Sequence, residues 1–182
     1  PGRLTPTAIK ETIDAKRMEF KEVFEAKRTE LQAQVEAKKE ELKSRLFKIK
    51  DERKRDAVER ITGRINDLNS RRLDHFTQVL DKLSGVLARI AERMEKVASR
   101  SIDVTKVKEA ITKAEQAIAA AQEAIKAQTG KAYTAAVSTE ANLRTDVGKT
   151  REALHTDLAK VWELVKTAHQ AVREAAVALA QV

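Results

Sequence analysis

Large apolar residues recur near the start of the chain at an eleven-residue interval, with Ile13, Phe24, Val35 and Leu46 each opening a unit. The first three units continue with an acid, an alanine and two basic residues, and Phe20, Leu31 and Leu42 supply a second apolar position. Eleven residues over three helical turns give about 3.67 residues per turn, close to an undistorted α-helix, so the apolar side chains form a nearly straight stripe. The pattern predicts a helical rod with one sticky edge: Ile9, Ile13, Phe20, Phe24, Leu31, Val35, Leu42 and Leu46.

The period then changes. KDERKRD at 50–56 offers no apolar residue, and beyond it the spacing is mostly three and four: Val58, Ile61, Ile65, Leu68, then Phe76, Val79, Leu83, Leu87, Ile90, Met94 and Val97. Thr5 and Pro6 form a helix-start signal, and no stronger breaker than Gly63 or Gly85 follows before residue 99. Each of those glycines costs roughly 1 kcal/mol in a helix interior. The simplest reading is one helix of about 90 residues, ~140 Å long, with 50–56 a solvated stretch of it. A hinge between arm and body at 50–56 is the alternative.

Ser99–Asp103 reads as a corner, with Asp103 capping a second helix whose apolar positions (Val104, Val107, Ile111, Ile118, Ile125) alternate with alanines that allow close approach. Gly130 suits its C-terminal cap. Lys131–Ser138 is richer in β-branched and small residues and is expected to run extended, pinned to the helices by Tyr133. Ser138 or Thr139 is then expected to cap a third helix.

These elements predict an all-α, coiled-coil-like protein: a long N-terminal helix with hendecad repeats projecting from an antiparallel three-helix bundle. The arm takes residues 1–55, and the bundle takes 56–182 with helices at about 57–99, 103–128 and 139–181. On this reading no other segment is long enough to cover the stripe within the chain.

Composition strengthens the helical reading. Of the 182 residues 35% are charged and 3% aromatic, a balance typical of long helices and poor for a β-rich core. The net charge of +8 is diluted by interleaved acids, and cysteine is absent, which excludes disulfides and thiolate chemistry. No apolar run reaches the ~18–20 residues of a membrane span.

Candidate chemistry is sparse. His155 and His169 lie fourteen residues apart, about 21 Å along one helix, so they cannot share a metal there, and His75 is remote in sequence. Gly130-Lys131 and Gly148-Lys149 lack the spacing of a phosphate loop, and no nucleophile–base pattern or metalloprotease motif occurs. Trp162 reads as a bundle-edge aromatic. The expectation is a non-enzyme with no catalytic residues, no metal and no cofactor.

Three interaction readings remain. The stripe can pair with the same stripe on another copy, which makes a homo-oligomer through the N-terminal arm. Alternatively, its basic flanks can lay it on an anionic membrane surface, in the manner of the eleven-residue amphipathic helices of exchangeable apolipoproteins. Nucleic-acid binding through Arg53, Lys54, Arg55, Arg60, Arg64, Arg71 and Arg72 is disfavoured, because Asp51, Glu52, Asp56, Glu59 and Asp67 oppose phosphate contact.

The stretches LTPTAIKETIDAKRMEFK, KIKDERKRDAVERI, LDKLSGVLARI and TDVGKTREALHTDLAKV give the chain a further likeness. It resembles a group of hypothetical exported helical proteins of candidate-phyla (ultra-small) bacteria. The resemblance implies a secretory signal removed shortly before Pro1 and residence outside the cell or on its surface. It implies no site residues. The sequence therefore predicts an exported structural subunit that self-assembles through its coiled-coil arm into an oligomer or extracellular filament.

Overall fold

The computed structural model describes residues 6–182, with side chains from residue 9 onward. It is all-helical: α1 (Pro6–Leu46), α2 (Glu52–Ala98), α3 (Thr105–Thr129) and α4 (Leu143–Ala180). Among the described residues there is no strand, and no helix is long and apolar enough to cross a membrane. Thr5, the expected cap of α1, lies outside the described residues.

The single long helix is corrected by a break at residues 47–51. Two signals in the sequence account for it. Asp51 is a true N-cap: its carbonyl accepts the Arg55 N–H (3.2 Å) and its Oδ1 accepts the Lys54 N–H (3.2 Å). Ile49, in the turn itself, is buried in a cluster with Leu42, Leu46, Val58, Ala135 and Leu143. Closing the turn thus adds an apolar anchor and covers the stripe. A continuous helix would leave Phe24, Leu31, Leu42 and Leu46 in water, forfeiting about 1.5–3 kcal/mol for each.

The chain divides into two compact units rather than into an arm and a bundle, and all four helices contribute to both, α3 to the second by its last residues alone. Unit 1 comprises Pro1–Val23, His75–Ile125 and Val161–Val182. Its core is a seam of α2, α3 and α4 built from residues such as Leu80, Leu87, Met94, Ile111 and Val165, all fully buried. Ala91, Ala114, Ala121, Ala168 and Ala175 are equally buried, so the backbones approach where a larger side chain would hold them apart. Here α1 runs antiparallel to α2: Lys10 meets Glu92 at 3.2 Å, while Arg17 and Lys21 meet Asp81 at 2.5 and 2.8 Å.

The corner expected at 99–103 is present. Ser101 adopts a left-handed φ of 62°, and Asp103 Oδ1 accepts both the N–H (2.9 Å) and the hydroxyl (2.6 Å) of Thr105 as α3 begins.

Unit 2 comprises Phe24–Asp74 and Lys126–Lys160. In it α1 and α2 form a helical hairpin around the 47–51 turn, with Arg28 on Asp74 at 3.3 Å. Only the last residues of α3 enter this unit. Residues 131–139 take its place as an extended strap without regular structure. Nine extended residues span about 30 Å, which matches the ~27 Å of the α4 stretch 143–160 beside it. The third helix starts later than expected: Asn142 rather than Ser138 or Thr139 caps α4, its carbonyl accepting the Asp146 N–H at 2.9 Å. Ser138 instead donates its N–H and hydroxyl to Asp146 Oδ2 at 3.0 and 2.8 Å, so the strap's end is clamped to the first turn of α4.

Candidate functional site

The polar side chains that the fold gathers most tightly belong to the strap of unit 2. An extended segment that joins no sheet must satisfy its backbone through side chains, or bury unpaired N–H and C=O groups at roughly 1–3 kcal/mol each. Asn66 on α2 solves this for Tyr133 as a β-strand neighbour would. Its Oδ1 accepts the Tyr133 N–H at 2.8 Å, and its Nδ2 donates to the Tyr133 carbonyl at 2.8 Å. One turn on, Asn69 Nδ2 donates to the Lys131 carbonyl at 3.3 Å.

Gln128, at the end of α3, completes the cradle. Its Nε2 donates to Asn69 Oδ1 (3.0 Å) and to the Tyr133 hydroxyl oxygen (2.7 Å). That hydroxyl donates in turn to Asp157 Oδ2 on α4 at 2.8 Å, where Lys131 Nζ also lies at 2.9 Å. Asn69 and Gln128 are fully enclosed and Tyr133 nearly so, in contact with Ile65 and Leu154.

The electrostatics of this cradle favour holding over reacting. Burial pushes the Tyr133 phenol well above its ordinary range, so it stays protonated and donates. The Lys131 ammonium, helped by the Tyr133 hydroxyl, holds the Asp157 carboxyl below its ordinary range. Asn66 Nδ2, Asn69 Nδ2, Gln128 Nε2, Lys131 Nζ and the Tyr133 hydroxyl each donate to an acceptor inside the cradle. The expectation that Tyr133 pins the 131–138 segment is met in detail, whereas Asn66, Asn69 and Gln128 escaped sequence reasoning.

The reason lies in the face that α2 presents. Ile61 and Leu68, read as members of the three-four apolar face of α2, are more than a third exposed, while Thr62, Asn66 and Asn69 are buried one position round. The face is rotated toward the amides because the strap needs them. The polar spacing Thr62, Asn66, Asn69, at four and three residues, was the available signal.

The eight stripe residues of α1 are turned inward within the chain, which corrects the picture of an uncovered edge. Ile13, Phe24, Leu31, Leu42 and Leu46 are buried, and Ile9, Phe20 and Val35 are half-buried. The cover is shared: α2 runs beside α1, and Ala135 of the strap and Leu143 of α4 close over Leu42 and Leu46.

The three histidines are exposed on their helices, and among the described residues no group of three His, Asp or Glu is placed to hold a metal. Trp162 is the half-exposed edge aromatic expected of it, stacked on Phe76 with ring centroids 5.8 Å apart. Glu40 and Glu41 are drawn below the usual carboxylate range by Lys43 and by Lys38 and Arg45 respectively. Glu95 is the exception. Burial raises it, and its Oε1 has no hydrogen-bond partner. No nucleophile joins it in the contacts described above.

Lys54 of the basic run is spent on Glu140 (2.7 Å) and Asp51 (3.7 Å). Comparison of the chain with protein-family models, with curated proteins and with solved structures finds no match to any of them.

Proposed function

We propose that the protein is a non-enzymatic structural subunit, exported to the cell surface, that assembles with copies of itself by exchanging α1. The reading keeps the stripe as the contact surface but changes how it is offered. In a single chain α1 closes onto its own α2; in an assembly the 47–51 turn straightens and α1 closes onto the α2 of another copy.

One observation carries this. The turn Phe47–Asp51 contains neither glycine nor proline and no residue with positive φ, so every residue in it can adopt helical geometry. Exchange re-forms each seam contact in trans, so its free energy is set by turn strain, the Ile49 anchor and concentration rather than by lost burial. Phe47, 83% exposed in the closed chain, gains cover when the turn opens against a neighbour.

Size-exclusion chromatography with light scattering from about 1 to about 500 µM tests the reading. A dimer or larger species that grows with concentration, and that disappears when Gly-Gly is inserted between Phe47 and Lys48, is the expected result. A strict monomer across the range overturns it. Helicity or opening gained only with anionic vesicles would favour the membrane-surface alternative instead.

A further inference from the structure

We propose that the cleft between the C-terminal halves of α2 and α4 in unit 1 is a docking groove for an acidic amphipathic helix supplied by a partner protein. The cleft has a volume of about 630 Å³. Its two walls differ in kind. On the α2 side stand Arg89, Arg93, Lys96 and Arg100, all exposed; on the α4 side stand Ala176, Leu179 and Ala180, without a charge. Ile90 and Val97 form part of the floor.

The cations point to the occupant. They follow one another at intervals of four, three and four residues along α2 and into the turn after it, a single row of about 16 Å. A row with helical period is matched by acids spaced four, three and four on a second helix, and its apolar face would lie on the alanine-lined wall. A lipid surface presents its charges over a plane, whereas this row runs along the lip of a concave cleft.

The cations are also free to serve. No acid lines the cleft, and among the described residues Arg89, Arg93 and Arg100 have no ion-pair partner. Lys96 shares Glu92 with Lys10, at 3.0 and 3.2 Å. The apolar wall is itself under-covered, since Ala176 and Ala180 are exposed and Leu179 is half-buried. No residue of α1 lines the groove, and α1 meets α2 beside it, through Lys10 on Glu92.

Fluorescence anisotropy of a labelled synthetic 18-residue helix, with Leu on one face and Glu at four-three-four spacing on its flank, titrated with the full chain, tests the proposal. Saturable binding is expected, at least about tenfold tighter than for the same peptide carrying Gln in place of Glu. The triple variant Arg89→Gln, Arg93→Gln, Arg100→Gln is expected to weaken it by a further factor of about ten or more with an unchanged thermal melt, since all three side chains are exposed. Ala176→Glu, which puts an acid on the opposite wall, is expected to weaken it similarly. Equal affinity for the two peptides, binding indifferent to the arginine substitutions, or no saturation below about 1 mM would each overturn the proposal. So would arginine-dependent binding to anionic vesicles or duplex DNA by a chain that ignores the peptide.

Discussion

The two units solve the same packing problem with opposite means. Unit 1 has helix against helix throughout, so its core is largely apolar and close-fitting, with alanines at the points of contact and only the small hydroxyls of Thr77 and Ser84 buried on α2. Unit 2 has run out of α3 and uses a strap of residues 131–139, whose unpaired backbone brings amide side chains into the interior. Non-directional packing suffices where backbone hydrogen bonds close within each helix, whereas a segment outside any helix or sheet needs directional partners placed for it. The difference teaches that the buried amides Asn66 and Asn69 of α2 are a consequence of where α3 stops.

Substitutions can break either solution selectively. Leu87→Ala empties a fully buried site in unit 1 and is expected to cost about 3–5 kcal/mol in urea unfolding, with α3 amides losing most hydrogen-exchange protection. A loss below about 1 kcal/mol would mean the seam is loosely packed. In unit 2, Asn66→Ala leaves the Tyr133 N–H and carbonyl unpaired in a buried setting, for about 2–4 kcal/mol. Exchange should rise first at the strap amides around Tyr133. Asn66→Asp keeps the acceptor and removes the donor, so it should recover only part of the loss.

Acid sharpens the contrast from the side of unit 1. The Arg17 hydrogen bonds, with Lys21 beside them, draw the Asp81 carboxyl from 3.8 to about 2. A carboxyl lowered by folding stabilises above its unfolded value and loses that contribution as pH falls through the folded one, so the loss falls between about pH 4 and pH 2. With the Asp81 side chain 23% exposed, solvent screening holds the contribution to about 1 kcal/mol. Stability measured against pH should lose that step in Asp81→Asn, and an unchanged profile would show that the pair adds nothing. The smallest effect is at the corner, where Ser101 holds φ 62° in the place a glycine usually fills. Ser101→Gly should raise stability by about 0.5–1 kcal/mol in thermal melts.

Much of this was legible along the chain. The three-four spacing of α3, the Asp103 corner and the extended strap with its tyrosine are local signals, and the structure carries each of them. The break before α2 lies at residues 47–51, at the edge of the charged run 50–56 where a hinge was the alternative to a continuous helix, and its local signal is Asp51, whose N-cap role needs only the four residues after it. The covering of the stripe was not legible in the same way. Periodicity identifies an apolar edge, but which surface meets it depends on where the chain turns, and that was set by Ile49 finding Leu143 and Ala135 far along the sequence. The amide cradle was hidden for a related reason: Asn66 reads as a surface residue until the strap that needs it is in place.

The central claim is that α1 seals the same seam within a chain or between chains, and a zero-length carbodiimide cross-link reads it directly. Lys21 and Asp81 lie 2.8 Å apart across α1 and α2, while Lys54 and Glu140, at 2.7 Å, join elements that exchange leaves in one chain. Chains of two isotopic compositions would be mixed after unfolding, refolded at high concentration, cross-linked and digested. The account predicts mixed-isotope Lys21–Asp81 peptides in the oligomer fraction and single-isotope Lys54–Glu140 peptides throughout. Single-isotope Lys21–Asp81 peptides in every fraction would contradict it.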